Sequence, residues 1–434
     1  MMRAVKLSLC AMLIFALPAC SKGLDNTVLK GERISVLQLQ KALEVDPAQQ
    51  DTPLTLPDPW INQFWPQAGG YPNHAMGHLA LPATLEKSWT TSIGKGASRR
   101  TPLIAAPIVA EERVFAMDTR GEITAFDLAE GDKIWRQSVV PRGEQDSGAV
   151  GGGLAYASGR LFVSSGYKYV SAINPSTGAM IWKAETPAPV RSAPMVMDDR
   201  VYVTTLDNRL LVFSAADGSP LWNYTGVSET TNLLGSAPPA ADQSVVVLPL
   251  SSGELIGLRP ENGRVVWEDN LSSLRATGAL SQIADIRGLP VIDQGVVFAV
   301  SFSGRMVALD QITGRRLWQR DIGSSETPWV AGEAIFVMTA EQQLVALSRQ
   351  SGAVRWVKDM AELSGEKKQE IWTAPVLAGG RLLVIGSQGL MLEINPQDGS
   401  LITKHKTGGV LTAPVVAANT LLTLSADGTL SAWR

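Results

Sequence analysis

Apolar and polar positions alternate along most of the chain in short runs that are separated by turn residues. Residues 193–213 show this pattern clearly, because an Asp-Asp pair at 198–199 and an Asp-Asn pair at 207–208 divide them into three runs rich in β-branched residues. Runs of this length and period predict β-strands joined by tight turns. A turn containing Gly218 and a fourth run, which carries Trp222, follow. The pattern therefore predicts a unit of four antiparallel strands.

This unit recurs along the chain, and most copies carry a Trp four residues after a Gly. The clearest copies are residues 125–135, 172–182 and 308–318, whereas a seventh copy has Thr403 where Trp is expected. The Trp-type positions are 38 to 51 residues apart. Self-similarity at such a step indicates a solenoid or a propeller, and four antiparallel strands per repeat are typical of a propeller blade.

The last copy predicts how the ring closes. Residues 413–433 supply only three strands, and the missing fourth strand, with its Trp, lies near the start of the repeats at residues 85–94. The chain is therefore predicted to be all-β over residues 63–434, an eight-bladed β-propeller of four-stranded antiparallel blades whose last blade is closed by the N-terminal strand. A structural role between neighbouring blades, with the indole N–H bonded to a backbone carbonyl, is expected of the repeat tryptophans: Trp89, Trp135, Trp182, Trp222, Trp267, Trp318 and Trp356.

The first residues of the chain have the features of an export signal. Arg3 and Lys6 precede an apolar run, residues 7–17, that is too short to span a bilayer but suits a signal peptide. The sequence Leu-Pro-Ala-Cys at 17–20 resembles a bacterial lipobox, which implies cleavage after residue 19 and acylation of Cys20. The alternative is an ordinary signal peptide with an incidental Cys.

The residue after the Cys indicates a destination. In enterobacterial lipoproteins Asp at this position retains the protein in the inner membrane, so Ser21 implies transfer to the outer membrane, facing the periplasm. Residues 20–62 lack the repeat and contain a Pro-rich run, so they are predicted to form the lipid anchor and a tether. A short amphipathic stretch at 34–43 either packs against the propeller or binds a partner.

The amino-acid composition argues against several classes of function. The formal net charge is −3 and no basic stripe occurs, so nucleic acid is not an expected partner. The only two cysteines are Cys10 and Cys20, which leaves the body of the chain without a disulfide or a thiolate metal site. His74 and His78 have a spacing that suits Zn²⁺ on a helix, but no Glu follows His74 and Gly77 disfavours a helix. We therefore expect no metal site and no catalytic residues.

The repeat resembles a known motif. The phrase Ala-x-Asp-x-x-Thr-Gly-x-x-x-Trp is similar to the tryptophan-docking motif of quinoprotein alcohol dehydrogenases, and residues 65–69 look like the opening sequence of that superfamily. Those enzymes stack pyrroloquinoline quinone (PQQ) on a vicinal disulfide, bind Ca²⁺ and use an Asp base. Here the cysteine pair is absent and the blades are short, so we expect no cofactor. A PQQ-dependent oxidoreductase remains the alternative function.

A second class within this superfamily fits the layout more closely. A lipobox, a short tether, eight lean blades and residues 289–310 resemble the BamB family of outer-membrane β-barrel assembly lipoproteins. The resemblance implies a non-enzymatic scaffold that binds the periplasmic POTRA domains of the insertase BamA and assists barrel insertion, with nascent outer-membrane proteins as further possible partners. A scaffold for another envelope complex is a third hypothesis.

The resemblance also implies which loops bind the insertase. Val190 and Arg191 occupy the position of one family loop, where Val190 is expected to offer apolar area and Arg191 forked hydrogen bonds. Asp285 matches the first position of a family Asp-x-Asp loop, whereas Arg287 reverses the charge of the second. The alternative is that these residues are merely solvated.

Overall fold

The computed structural model describes residues 43–49, 53–141, 151–227, 233, 235–272, 284–366, 370–410 and 412–434. Within these ranges the chain forms eight separate four-stranded antiparallel sheets. This confirms the predicted eight-bladed propeller. Two short helical segments accompany the strands, a 3-10 turn at Pro47–Gln49 and helix α1 at Met360–Ser364.

The strands follow one another in chain order, from the innermost to the outermost of each blade. Strand β1 is Lys87–Ser92. Blades 1 to 4 then contain, in order, β2 (Ile108–Ala110), β3 (Arg113–Met117), β4 (Glu122–Asp127) and β5 (Lys133–Ser138); β6 (Gly152–Ala157), β7 (Arg160–Ser165), β8 (Tyr169–Ile173) and β9 (Met180–Glu185); β10 (Met195–Met197), β11 (Arg200–Thr204), β12 (Arg209–Ser214) and β13 (Pro220–Thr225); and β14 (Ala240–Ala241), β15 (Val246–Pro249), β16 (Glu254–Leu258) and β17 (Val265–Asn270).

The second half of the ring repeats this arrangement. Blades 5 to 8 contain β18 (Val291–Asp293), β19 (Val296–Val300), β20 (Met306–Asp310) and β21 (Arg316–Arg320); β22 (Trp329–Ala331), β23 (Ala334–Met338), β24 (Gln343–Ser348) and β25 (Val354–Asp359); β26 (Val376–Ala378), β27 (Arg381–Ile385), β28 (Leu390–Ile394) and β29 (Leu401–Lys406); and β30 (Val415–Ala417), β31 (Thr420–Leu424), β32 (Thr429–Trp433) and β1. Strand β1 pairs antiparallel with β32, from Lys87 opposite Trp433 to Ser92 opposite Thr429. The predicted closure of the last blade is therefore confirmed.

Strand direction divides the propeller into two faces. Since the four strands of a blade alternate in direction, the hairpins after the first and third strands lie on one face, which we call the hairpin face. The hairpin after the second strand and the connections between blades lie on the opposite face, which we call the connector face. The inner strands are buried, as in β3 and β7, whereas outer strands such as β1 and β13 are largely exposed. The core therefore lies between neighbouring blades.

The repeat tryptophans join each blade to the next. All seven indole Nε1–H groups donate to a main-chain carbonyl of the following blade at 2.8 to 3.1 Å. The glycine of the following blade lies against the ring. At Gly131, where φ is +76°, an added Cβ would lie 2.6 Å from the Trp89 ring. The repeat glycine is thus required for the close approach of the preceding tryptophan as well as for its own turn.

The missing eighth tryptophan has a structural reason. Thr403 lies on β29, beside blade 8, whose third and fourth strands, β32 and β1, are distant in sequence and are not joined by a hairpin. A tryptophan at 403 would therefore lack the glycine turn on which the other seven dock. Glu393, opposite Thr403, is buried instead and bonds Arg381 at 2.7 Å and His405 at 2.9 Å.

A segment N-terminal to β1 runs once around the inside of the ring. Residues 62–79, which we call the inner ring, bond to the innermost strand of every blade or to residues directly beside it. In order the inner-ring residues and their partners are Asn62 with Val416 and Ala418, Trp65 with Val109, Pro66 with Tyr156, Gln67 with Val196, Pro72 with Ala241, Asn73 with Ile292, Gly77 with Trp329, and Leu79 with Leu377 and Gly379.

The inner ring lies toward the hairpin face, because it and its flanks contact hairpins such as Gly379-Gly380 and Ala418. Contacts with the blades begin before residue 63, where the propeller is expected to start. Asp46 donates its N–H to the Val354 carbonyl and Leu54 bonds Gln397 in both directions, so the described part of the expected tether is attached to blades 6 and 7. Residues 41–434 form one compact unit.

Candidate partner-binding face

All four residues predicted to bind a partner belong to connections between blades, so they lie on one face. Val190 and Arg191 are in the connection between blades 2 and 3, and Asp285 and Arg287 are in the connection between blades 4 and 5. The alternation of strand direction therefore places both loops on the connector face. The inner ring lies toward the other end of the propeller. Local environment decides which of the four side chains can reach a partner.

Val190 is not available to a partner. Its side chain is fully buried, and its main chain pairs with Thr205 at the hairpin between β11 and β12. It belongs to a cluster of apolar side chains between blades 2 and 3 that includes Phe162 and Val201. The expectation that Val190 offers exposed apolar area is therefore wrong, because the connection uses this residue to close the gap between blades.

Arg191, the next residue, has the opposite environment. Its main-chain carbonyl accepts the Gly152 N–H at 3.3 Å, which fixes the backbone. Gly151 lies beside its stem, since a Cβ there would lie 3.1 Å from Arg191 Cγ. The guanidinium of this half-buried side chain forms no hydrogen bond or ion pair with any residue in the described ranges. A fixed backbone with an unpaired guanidinium is suited to bind a carboxylate or carbonyl.

Asp285 supports its loop rather than projecting from it. It is 4% exposed, and its Oδ2 accepts the Leu233 N–H at 2.9 Å. Burial raises the pKa of this carboxyl, although the bond from Leu233 and the charge of Arg287 act in the opposite direction. Asp285 therefore joins the connection between blades 3 and 4 to the connection between blades 4 and 5. This inward orientation differs from the exposed contact expected from the sequence.

The positive charge of Arg287 is paired with a carboxylate of the same chain. Its Nη1 lies 3.5 Å from Oε1 of Glu326, in the next connection around the ring, and Glu326 Oε2 accepts the Ala374 N–H at 3.0 Å. These contacts extend the linkage from Asp285 across the connections that follow blades 3, 4, 5 and 6. Glu326 carries no signal in the sequence, because it lies 39 residues from Arg287 and no motif marks it.

The histidines of the inner ring bind the backbone of different blades. His74 Nδ1 donates to the Pro290 carbonyl at 2.7 Å, whereas His78 donates from Nδ1 to Pro57 and accepts the Gly380 N–H at Nε2. Both ring nitrogens of His78 are therefore occupied. Full burial lowers the pKa of His74 to about 4. The pair fixes the inner ring to blades 5 and 7 and does not converge on one point.

The described residues do not fit PQQ and its calcium ion. They contain no group of three or more His, Cys, Asp or Glu side chains that could hold a metal ion. No cysteine follows Cys20 in the sequence, so the vicinal disulfide that carries the quinone in the dehydrogenases has no counterpart. The donor set required by that cofactor is thus missing from this part of the chain.

Three predicted features of the N-terminal region fall outside the residues that the structure describes. These are the signal peptide, residues 1–19, the lipid attachment residue Cys20, and the amphipathic stretch 34–43 except for Leu43. Among the helices in the described ranges, none has the length and apolar composition needed to cross a membrane.

Comparison with known proteins gives a consistent family. A family model described as "Outer membrane protein assembly factor BamB" matches residues 119–358. The BamB proteins of Yersinia pestis and Escherichia coli are each 27% identical to this chain, over 353 and 348 residues. These matches cover 80% and 79% of this chain, and 88% and 87% of the relatives.

Solved structures show the same fold at lower identity. BamB from Moraxella catarrhalis superposes with a TM-score of 0.69 at 21% identity, covering 81% of this chain and 100% of that one. Quinohemoprotein alcohol dehydrogenase from Comamonas testosteroni superposes with a TM-score of 0.67 at 12% identity, covering 85% of this chain and 80% of that one. At these identities the likeness establishes the propeller fold alone.

Proposed function

Because the chain belongs to the family of the outer membrane protein assembly factor BamB, we propose that it is a non-enzymatic scaffold of the outer-membrane β-barrel assembly machinery. In this proposal it binds the POTRA domains of a BamA-type insertase and assists barrel insertion. Acylated Cys20 anchors it to the outer membrane, facing the periplasm, after removal of residues 1–19. Residues 20–62 form the lipid anchor and the tether, whose described part, from residue 43, contacts blades 6 and 7.

One observation supports the connector face as the binding surface. Arg191 has a fixed backbone and a guanidinium without a partner among the described residues, on the same face as the polar linkage from Asp285 through Arg287 to Glu326. A rigid surface that presents an unpaired, partly desolvated Arg binds well because little order is lost on association. Asp285 and Glu326 act by holding the neighbouring connections in place, and Arg191 makes the direct contact.

The pull-down of the full-length lipoprotein from native membranes in mild detergent tests this proposal. We expect near-stoichiometric recovery of a large outer-membrane protein with POTRA domains, identified by mass spectrometry. Arg191→Glu should reduce the recovery about tenfold or more, since it replaces the attractive charge with a repulsive one. Arg264→Glu, an exposed Arg in a hairpin on the opposite face, is the matched control and should leave recovery unchanged.

Other results would favour the remaining hypotheses. Recovery of a different set of envelope proteins, without a POTRA protein, would contradict the proposal and favour a scaffold for another complex. A PQQ-dependent oxidoreductase would show a spectral shift when PQQ and Ca²⁺ are added. We expect no such shift, because the described residues lack the donor set for that cofactor.

A further inference from the structure

Charge on the connector face is divided into two halves. One half consists of segments 93–107, 118–121, 165–168 and 186–194, which lie at blades 8, 1 and 2 and before blade 3. We call it the basic half, because these segments hold six basic residues and a single acidic one, Asp118, while the neighbouring hairpin 425–428 adds the exposed Asp427 beside Gly96. The six are Lys95, Arg99, Arg100, Arg120, Lys168 and Arg191. Such clustering is not a consequence of overall charge, since the whole chain is formally −3.

Asp118, the acidic residue within these segments, is already matched. The Asp118 side chain is fully buried and bonds Arg136 Nη2 at 3.1 Å, and Arg136 Nε bonds Glu122 at 3.1 Å. The six basic residues themselves form no ion pair within the described ranges. Five of them are exposed, and Arg191 is half-buried. The basic half therefore carries positive charge that is not paired within the described part of the chain.

A concave site opens within the basic half. Its lining comes from three of these segments, at residues 101–105, 118–119 and 165–167, together with Gly121 and Gly151. Gly151 also lies against the stem of Arg191, so this side chain borders the site. The site has a volume of only about 30 Å³, so it does not itself enclose a peptide. An acidic segment laid across it would be held by the surrounding cations, which its carboxylates can reach.

The opposite half of the connector face is acidic. Segments 321–328, 339–342 and 360–375 contain six acidic residues, of which Glu326 is paired with Arg287 and Glu370 is buried: Asp321, Glu326, Glu341, Glu362, Glu366 and Glu370. Their only basic residues, Lys367 and Lys368, lie outside the described ranges. A long polyanion or a broad anionic surface laid across this face would meet the acidic half and be repelled. A short acidic segment confined to the basic half would not.

We propose that the basic half binds an acidic segment of a partner protein in an extended conformation. This inference rests on the proposed scaffold function and adds the chemistry of the partner, with Arg99, Arg100 and Arg120 as contacts beyond Arg191. Arginine suits this role because its planar guanidinium forms paired bonds with a carboxylate. Charge complementarity of this kind raises the association rate and selects the orientation of the partner on the face.

The test measures how tightly an acidic peptide binds to the full-length lipoprotein in detergent. A fluorescein-labelled octaglutamate peptide is titrated by anisotropy at low salt, with octaglutamine as the neutral control peptide. The variant Arg99→Glu/Arg100→Glu should bind octaglutamate at least about tenfold more weakly than the unsubstituted protein, and binding should weaken as salt is added. Arg264→Glu/Arg315→Glu reverses the charge at two exposed positions on the hairpin face and should leave the affinity for octaglutamate unchanged.

Several outcomes would overturn the inference. These are no binding of octaglutamate, equal binding by Arg99→Glu/Arg100→Glu, or tighter binding of an oligothymidylate or of phosphatidylglycerol vesicles than of the peptide. The membrane pull-down separates this result from the proposed function. If the unsubstituted protein recovers no POTRA insertase, the proposed function fails, whatever the peptide result. If it does recover the insertase and Arg99→Glu/Arg100→Glu recovers it equally well, only the acidic-segment inference fails.

Discussion

The two faces of the propeller differ in how completely the fold uses their polar groups. Toward the hairpin face, the inner ring bonds to all eight blades, and its histidines are held by backbone groups of blades 5 and 7. On the connector face, Arg191 and the basic half present charges that no described residue neutralises. The hairpin face thus uses its polar groups to close the structure, and the difference is the basis for proposing the connector face as the binding surface. Substitutions on the two faces should therefore change different observables.

The largest effect is expected where the inner ring enters the core. Leu79 is fully buried beside β26, so Leu79→Asp would place an unpaired charge in the core and lower the free energy of unfolding by about 4 kcal/mol or more. Chemical denaturation monitored by tryptophan fluorescence measures this loss. The control, Leu317→Asp on an exposed outer strand, should change stability by less than about 0.5 kcal/mol. Equal effects of the two variants would contradict the structural role of the inner ring.

Acid should weaken the same region through His74. Its pKa is about 4 in the folded protein against an ordinary 6.5, so the unfolded chain binds the proton more readily. Its contribution to stability is therefore complete above pH 6.5. As the pH falls toward 4 this contribution is lost, and the free energy of unfolding decreases by about 3 kcal/mol in total. His74→Gln should remove this part of the pH dependence in denaturation curves recorded from pH 7 to pH 4. An unchanged difference between pH 7 and pH 4 in the variant would contradict the assignment.

An intermediate effect is expected from a single bond of the inner ring. Gln67 is 2% exposed, and its Oε1 accepts the Val196 N–H of blade 3 at 2.8 Å. Gln67→Ala leaves that buried N–H without a partner, so unfolding should become easier by about 1–3 kcal/mol. Thermal unfolding checks the change, with the exposed Gln137→Ala as the control. Partner recovery by Gln67→Ala should be normal in the membrane pull-down, since the substitution is distant from the connector face.

The smallest change in stability is expected on the connector face, at Asp285. Because burial raises its folded-state pKa above the ordinary 3.8, stability should decrease as the pH rises from about 4 through the raised value. Asp285→Asn keeps an oxygen to accept the Leu233 N–H, so the change at neutral pH should be less than about 1 kcal/mol. Since this contribution opposes that of His74, the loss of stability from pH 7 to pH 4 in denaturation curves should be larger in the variant than in the unsubstituted protein.

Much of the fold follows from the sequence because the features that encode it are local. Each blade is a run of adjacent hairpins, so its strand period, its turn residues and the Gly-to-Trp spacing all lie within about fifty residues. The blade number and the closure by β1 were predictable for this reason. The absence of a tryptophan at Thr403 was visible in the sequence, but its cause, a blade without a third hairpin, requires the paired β1 and β32.

The amino-acid sequence by itself determined the eight blades, the positions of the seven docked tryptophans and the closure of the last blade by β1. Only the tertiary structure decided that Val190 and Asp285 turn inward, that Glu326 matches the charge of Arg287, and that residues 62–79 close a circuit inside the ring. These outcomes depend on partners far along the chain, such as Val416 for Asn62, 354 residues away. Local periodicity carries no information about such pairs, because burial and pairing arise only when the blades are packed together.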